Sequence, residues 1–265
     1  MQFNYKNTLL ALMAACSLSA CEKVIDVDLN STDPKFVIEA AVTDQLERHT
    51  VKITKSVNFD QESQYPAVTG AQVVLSDDAG LQETLIETSA GVYQTKQALQ
   101  GVPGHTYTLR VEAEGKTFSA VSKMPALVLF EDMRADRLNF AGSESIAMVP
   151  TFNDPAGLGN YYWFVQTNND TALTNIFVLD DRLSDGIRIT RPLIAQELET
   201  AVGDSVVLEM RCIDKATYTY LYTLDASSGQ GPNASTPANP DNNFGNACLG
   251  YFSAYTVQRK GLRVK

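Results

Sequence analysis

Basic residues, histidines, cysteines and long apolar runs are all scarce in this chain, and each scarcity removes a class of function. Lys and Arg number 21 against 31 Asp and Glu, a formal net charge of −10, with no basic cluster to offset it. Nucleic acid is therefore a poor partner candidate, and so is electrostatic docking on anionic lipid. The two histidines, His49 and His105, fall in different parts of the first half, His105 opening a strand after a Pro-Gly turn as a surface or rim residue. No Gly-x-Ser-x-Gly elbow, His-Glu-x-x-His helix or phosphate-cradling Gly-x-x-x-x-Gly-Lys loop occurs. With so many acidic residues, chance carboxylate pairs are expected, so a hydrolase of glycan or peptide stands only as an alternative. No cofactor is implied.

The only markedly apolar run lies at the N-terminus, and it is far short of the ~20 residues of a spanning helix. Lys6 followed by Leu9–Cys16 has the charge and apolar order of an export signal. Leu18-Ser19-Ala20-Cys21 then closes it in the pattern of a bacterial lipobox. Residues 1–20 are thus predicted to be a removed lipoprotein signal peptide, and Cys21 the lipidated first residue. Each buried acyl methylene contributes about 0.8 kcal/mol, so two or more chains hold a protein stably on its membrane. Of the basic residues only Lys6 leaves with the signal, so the body keeps 20 against 31 acidic ones.

Cys16 leaves with the signal and Cys21 takes lipid, so Cys212 and Cys248 are the remaining thiols. A bridge between them would close a loop worth about 4 kcal/mol in the chain-entropy model; two separate buried thiols are the alternative. Without Cys-x-x-Cys or Cys-x-x-His spacing they make a poor zinc site. Oxygen-rich clusters at Asp77-Asp78, Asn168-Asn169-Asp170 and Asp180-Asp181 with Asp185 lack the spaced calcium-loop pattern and read as solvated turns, so no metal site is assigned.

Strand signals dominate the body. Tyr107, Leu109, Val111 and Ala113 alternate with Thr106, Thr108, Arg110 and Glu112, as a half-buried antiparallel strand requires. Glu114-Gly115-Lys116 turns the chain back. The expectation is a mainly β protein. An N-terminal immunoglobulin-like β-sandwich (21–124) ends at Met124-Pro125 and is followed by a second β-rich domain (125–265) with one short helix. Asp214 is placed to cap that helix over Ala216–Asp225, with Ala216, Tyr220 and Leu224 on one stripe. The loop from Ser227 to Ala247, rich in Gly, Pro and Asn, has the length of a functional loop. Its Phe244, Asn239 and Asn243, with Tyr251 behind them, are the candidate binding surface, because tyrosine and phenylalanine suit interfaces. Asp170-Thr171-Ala172 offers Thr171 as a candidate O-glycosylation site.

Several runs together resemble a Bacteroidota outer-membrane lipoprotein family known as domain-of-unknown-function family 4249. They are Cys21–Leu29 with Val37-Ile38-Glu39-Ala40, Gly91-Val92-Tyr93, Gly101–Leu109, Met124-Pro125, Gly203-Asp204-Ser205-Val206, Ile213–Tyr218, Pro237–Pro240 and Leu249–Tyr255. The resemblance implies two β-rich domains and an association with TonB-dependent outer-membrane receptors. It carries over no catalytic residue. The expectation is a non-enzymatic, lipid-anchored outer-membrane protein, compatible with either face of that membrane. It would bind as an accessory of a TonB-dependent uptake assembly; a surface hydrolase and a purely structural envelope protein are the alternatives.

Overall fold

Apolar–polar alternation sets most of the backbone in the computed structural model, which describes residues 33–57, 65–140, 143–194, 200–228 and 239–265. The predicted signal segment and Cys21 lie outside the described residues. The first half supplies β1 (Phe36–Thr43), β2 (Thr50–Lys55), β3 (Gln72–Asp77), β4 (Gln82–Thr84), β5 (Ile86–Ser89), β6 (Val92–Gln94), β7 (Thr106–Ala113) and β8 (Lys116–Lys123). The second supplies β9 (Asp132–Phe140), β10 (Ser143–Asn153), β11 (Tyr161–Asn168), β12 (Thr171–Ala172), β13 (Phe177–Asp180), β14 (Arg188–Ile189) and β15 (Ser205–Ile213). The helix α1 (Lys215–Ser228) and the long β16 (Leu249–Arg263) complete it. The protein is mainly β.

In β7 the predicted alternation holds: Tyr107, Leu109, Val111 and Ala113 are buried, and Arg110 between them is exposed. Glu114 and Gly115 both take positive φ, 48° and 73°, which is the primed turn that matches strand twist in a two-residue hairpin. A four-stranded sheet in the order β4-β3-β7-β8 faces the β1, β2 and β6 part of a nine-stranded sheet. Between them lies one apolar core, with Ile38, Ile53 and Tyr93 from one sheet and Leu75, Leu109 and Phe118 from the other. Full burial of each such side chain contributes about 1.5–3 kcal/mol. A second core joins Phe130, Met148 and Phe152 to Phe164, Leu208 and Met210. Cys248 belongs to the first core and Cys212 to the second; both thiols are free and buried, so the structure contains the separate thiols rather than the bridge. Burial raises the pKa of both, Cys248 to about 12, which keeps them protonated and inert.

Met124 and Pro125 fall between β8 and β9, where the sequence places a boundary, but one sheet runs through both halves. Its order is β12-β11-β15-β16-β1-β2-β6-β5, with β13 also on β11. β16 makes the join. Its first residues pair parallel with β1, from Val37↔Leu249 to Thr43↔Tyr255, and its later ones antiparallel with β15, from Cys212↔Thr256 to Ser205↔Arg263. Pro34–Lys265 is accordingly one compact unit.

Gly250 lets the first of those pairings form. It sits opposite Ile38 at φ 94°, and a Cβ there would overlap the Ile38 carbonyl, 2.7 Å from its carbon and 2.8 Å from the Ile38 nitrogen. Nothing lies within 4 Å of the corresponding position on Gly115. Gly250→Ala is therefore expected to lower unfolding free energy by about 3 kcal/mol or more and Gly115→Ala by about 1 kcal/mol, read from urea midpoints.

The histidines separate as well. His105 is half-exposed, its Nδ1 3.3 Å from the Asp77 carboxylate. His49 is buried, its Nε2 without a hydrogen-bond partner, and its main chain exchanges bonds with Thr95. Burial lowers the His49 pKa below 6.5, although Glu47, a backbone bond with Leu99 and Glu83 pull it upward. An unfolded chain binds a proton near pH ~6.5 that the folded one refuses, so this residue costs stability as pH falls below that value. Melting temperature should drop between about pH 7 and about pH 5, and His49→Gln should flatten that slope.

Candidate functional site

Phe244, chosen from the sequence as an exposed contact, is buried in the first core. The reason is the clasp around it. Asn243 Nδ2 donates to the carbonyls of Phe252 at 2.6 Å and Val121 at 3.1 Å, and its Oδ1 accepts from the Phe252 amide. Asn242 Oδ1 accepts from the Phe244 amide, and its Nδ2 donates to the Cys248 carbonyl. Asn242 and Asn243 thus mimic missing strand partners and press Phe244 inward. Asn239 is exposed. Tyr251 is half-buried and belongs to a different assembly.

That assembly covers the outer face of the long sheet. Asp214 caps α1: its Oδ1 accepts from the Thr217 amide at 2.8 Å, as expected. Its Oδ2 accepts from the Ser122 hydroxyl and the Lys123 amide, so the cap also binds the helix to β8. The most buried helix residues are Thr217 and Leu221. The buried stripe is therefore one position on from the expected Ala216–Tyr220–Leu224 line, because Thr217 Oγ1 donates to or accepts from Ser253 Oγ, 3.0 Å away on β16. Tyr161, Tyr218 and Tyr222 follow one another with ring centroids 5.0 and 5.8 Å apart. Tyr251 meets Tyr220 and Trp163, and the Arg211 guanidinium lies 4.1 Å over Trp163 and 4.8 Å over Tyr255. Glu209 holds both Arg211 and Arg259. Burial pushes the Tyr220 and Tyr255 hydroxyls up to about 12, and the Tyr218 hydroxyl donates to the Asp180 carboxylate at 2.7 Å. Much of the tyrosine that the sequence offers for binding is thus packing between helix and sheet, with Tyr222 the exposed end.

The remaining candidates are turns. Thr171 is exposed just after the positive-φ pair Asn169 and Asp170, in a hairpin where Asn168 pairs with Thr171. Asp77 Oδ1 accepts from the amides of Ala79 and Leu81, a local turn role. Asp181 departs from the solvated turn expected for it. It is buried, and its carboxylate oxygens lie within 4.8 Å of those of Asp154, also buried, and exposed Asp185.

Three carboxylates this close are the arrangement that can hold a hard cation, which takes six to eight oxygens. Here one oxygen of each already accepts from the backbone. Asp181 Oδ2 accepts from the amides of Gly159 and Asn160 at 2.7 and 2.9 Å and from Asn160 Nδ2 at 3.2 Å. Asp185 Oδ1 accepts from the Gly157 amide and Asp154 Oδ2 from the Gly186 amide. The Tyr162 hydroxyl donates to the other Asp154 oxygen, and that bond with burial raises the phenol's pKa. Loops 154–160 and 181–187 are thereby clamped together beneath the adjoining ends of β11 and β13. Asp154 escaped the sequence reading; its signal was the turn composition Asn153-Asp154-Pro155-Ala156-Gly157.

A sequence model of the family Domain of unknown function (DUF4249) matches residues 22–261. The chain belongs to that family. No curated protein matches it.

Membership agrees with the resemblance drawn from the motif runs, and the match spans both cores and the clamped loops. Asp181→Ala strips a shared acceptor from the part-buried amides of Gly159 and Asn160, so a loss of about 1–3 kcal/mol is expected in thermal or urea unfolding. Amide exchange at Gly159 and Asn160 should accelerate before that of β7.

Proposed function

We propose that this protein is a lipid-anchored component of the outer membrane that acts by binding, as an accessory of a TonB-dependent uptake assembly. The observation that carries the reading is Cys21, standing at the end of an apolar export signal where a lipobox requires its cysteine. Acyl chains on that residue would supply the membrane attachment that no helix among the described residues is long and apolar enough to provide. In this reading residues 21–124, an immunoglobulin-like sandwich, are scaffold, and residues 125–265 carry the contact surface. The partner is a β-barrel receptor in the same membrane. A body whose main-chain polar groups are largely paired within sheets suits a rigid adaptor. The clamped loops of the second half suit presentation of side chains to a neighbour.

The experiment is purification from detergent-solubilised outer membrane with intact-mass analysis of the N-terminal peptide. The expected result is a peptide beginning at acylated Cys21 and a copurifying β-barrel receptor, both lost in Cys21→Ala. An unmodified N-terminus, recovery of the lipoprotein alone, or turnover of a glycan or peptide by the purified protein would overturn the proposal.

A further inference from the structure

A sheet edge is a row of unpaired amides and carbonyls that another strand can take up, so proteins keep their edges short, bulged or capped. Most edges here follow that rule. Among the described residues the terminal strands β12, β14, β4 and β5 have two, two, three and four residues, and β5 carries a bulge between Glu87 and Ser89. The eight-residue β8 is capped by side chains, Asn243 donating to the Val121 carbonyl and Asp214 accepting from the Lys123 amide. β9 is different. It ends the three-stranded sheet β14-β10-β9 and runs for nine residues. Its pairing with β10 shows which of its groups face outward. Opposite Ala135, the Met148 carbonyl turns away to accept from the Leu193 amide, and opposite Met133 stands Pro150, which has no amide. The odd-numbered residues of β9 therefore direct their main chain away from β10. The Met133 amide donates to Asp132 Oδ1 at 2.9 Å. The amides and carbonyls of Ala135, Arg137 and Asn139 have no partner among the described residues.

We propose that β9 pairs antiparallel with β9 of a second copy of this chain, about a two-fold axis at Ala135, so that one six-stranded sheet crosses the dimer. The inference stands apart from the anchor and receptor reading above. What favours a second copy is the charge pattern along the strand. Arg134 and Asp136 share the outer face and bond side by side, Nε to Oδ1 and Nη2 to Oδ2, each at 2.9 Å. Their side chains are 52% and 37% exposed, open enough to meet a further charge. With Ala135 opposite its own copy, Arg134 faces Asp136 of the second copy and Asp136 faces its Arg134, so four charges alternate in a square. These are non-hydrogen-bonded pairs, in which facing side chains approach most closely. An axis at Arg134, Asp136 or Arg137 would instead set like charges directly opposite, which opposes pairing. An axis at Met133 meets an amide already held by Asp132. A two-fold contact requires a self-complementary surface, and the Ala135 register supplies one. In that register Ala135 exchanges main-chain bonds with its copy, and Arg137 turns its own groups toward Met133 across the axis. Only a methyl group stands at the axis itself.

The test is sedimentation equilibrium of the full chain in density-matched detergent, with amide exchange over residues 133–139 followed by mass spectrometry. A dimer is expected, with exchange in that stretch slowed as the dimer forms. Arg134→Asp sets acid against acid twice by symmetry and should weaken association by about tenfold or more. Adding Asp136→Arg to it restores the alternation in reversed order and should restore the dimer. Ala135→Pro removes an outward amide that β10 does not use, so circular dichroism should stay unchanged while the dimer is lost. A chain that sediments as a monomer up to about 100 μM overturns the proposal. So does a dimer indifferent to both Arg134→Asp and Ala135→Pro. Slow exchange over residues 133–139 in a monomer would mean that something other than a second copy covers the edge, and overturns it too.

Discussion

The parallel pairing of β1 with the first half of β16 is the constraint on which the rest of this structure depends. It joins residues about two hundred positions apart, so its hydrogen bonds close a loop that holds nearly all the other strands. Gly250 makes the close approach to Ile38 possible, because any side chain there would occupy the space of the facing main chain. Once β16 is seated, its inner residues Phe252 and Ala254 complete the first core. Its later residues offer β15 a complete antiparallel partner, on which β11 and then β13 build.

Everything on the outer face follows from that sheet. The helix lies on β11, β13 and β16 because Thr217, Leu221 and the tyrosines find partners there, and tertiary packing outweighs the poor helix propensity of its threonines. Those threonines turn their hydroxyls back: Thr219 donates to the Lys215 carbonyl and Thr223 to that of Thr219. Asp214 works at both levels, capping the helix and fastening it to β8. Asp154, Asp181 and Asp185 do for the loops below β11 what sheet hydrogen bonds do for the strands, by supplying acceptors to amides that have no ladder partner.

Much of this was legible in the residues, for reasons that can be named. β7 was visible because a period of two records one buried and one wet face. The Glu114-Gly115 turn was visible because only a few residue types tolerate positive φ. The helix start was visible because Asp214 precedes a run without Gly or Pro. Phe244 was misplaced for an equally physical reason: its loop has the composition of an exposed segment, and nothing local tells that Asn243 reaches Phe252 on β16 and Val121 on β8, or that Asn242 reaches Cys248. The aspartate clamp was half legible. Asp180-Asp181 and Asp185 advertised oxygen, but Asp154 is separated from them by all of β11 to β13.

Composition and alternation by themselves determined a mainly β body, since these depend on neighbours within a few positions. Tertiary structure alone decided that one sheet would run through both halves, that Cys212 and Cys248 would stay apart in separate cores, and that β9 would be left as a long sheet edge. Those outcomes depend on which distant segments meet. A pairing between Val37 and Leu249 is chosen by the fit of the whole fold, not by the local sequence of either strand.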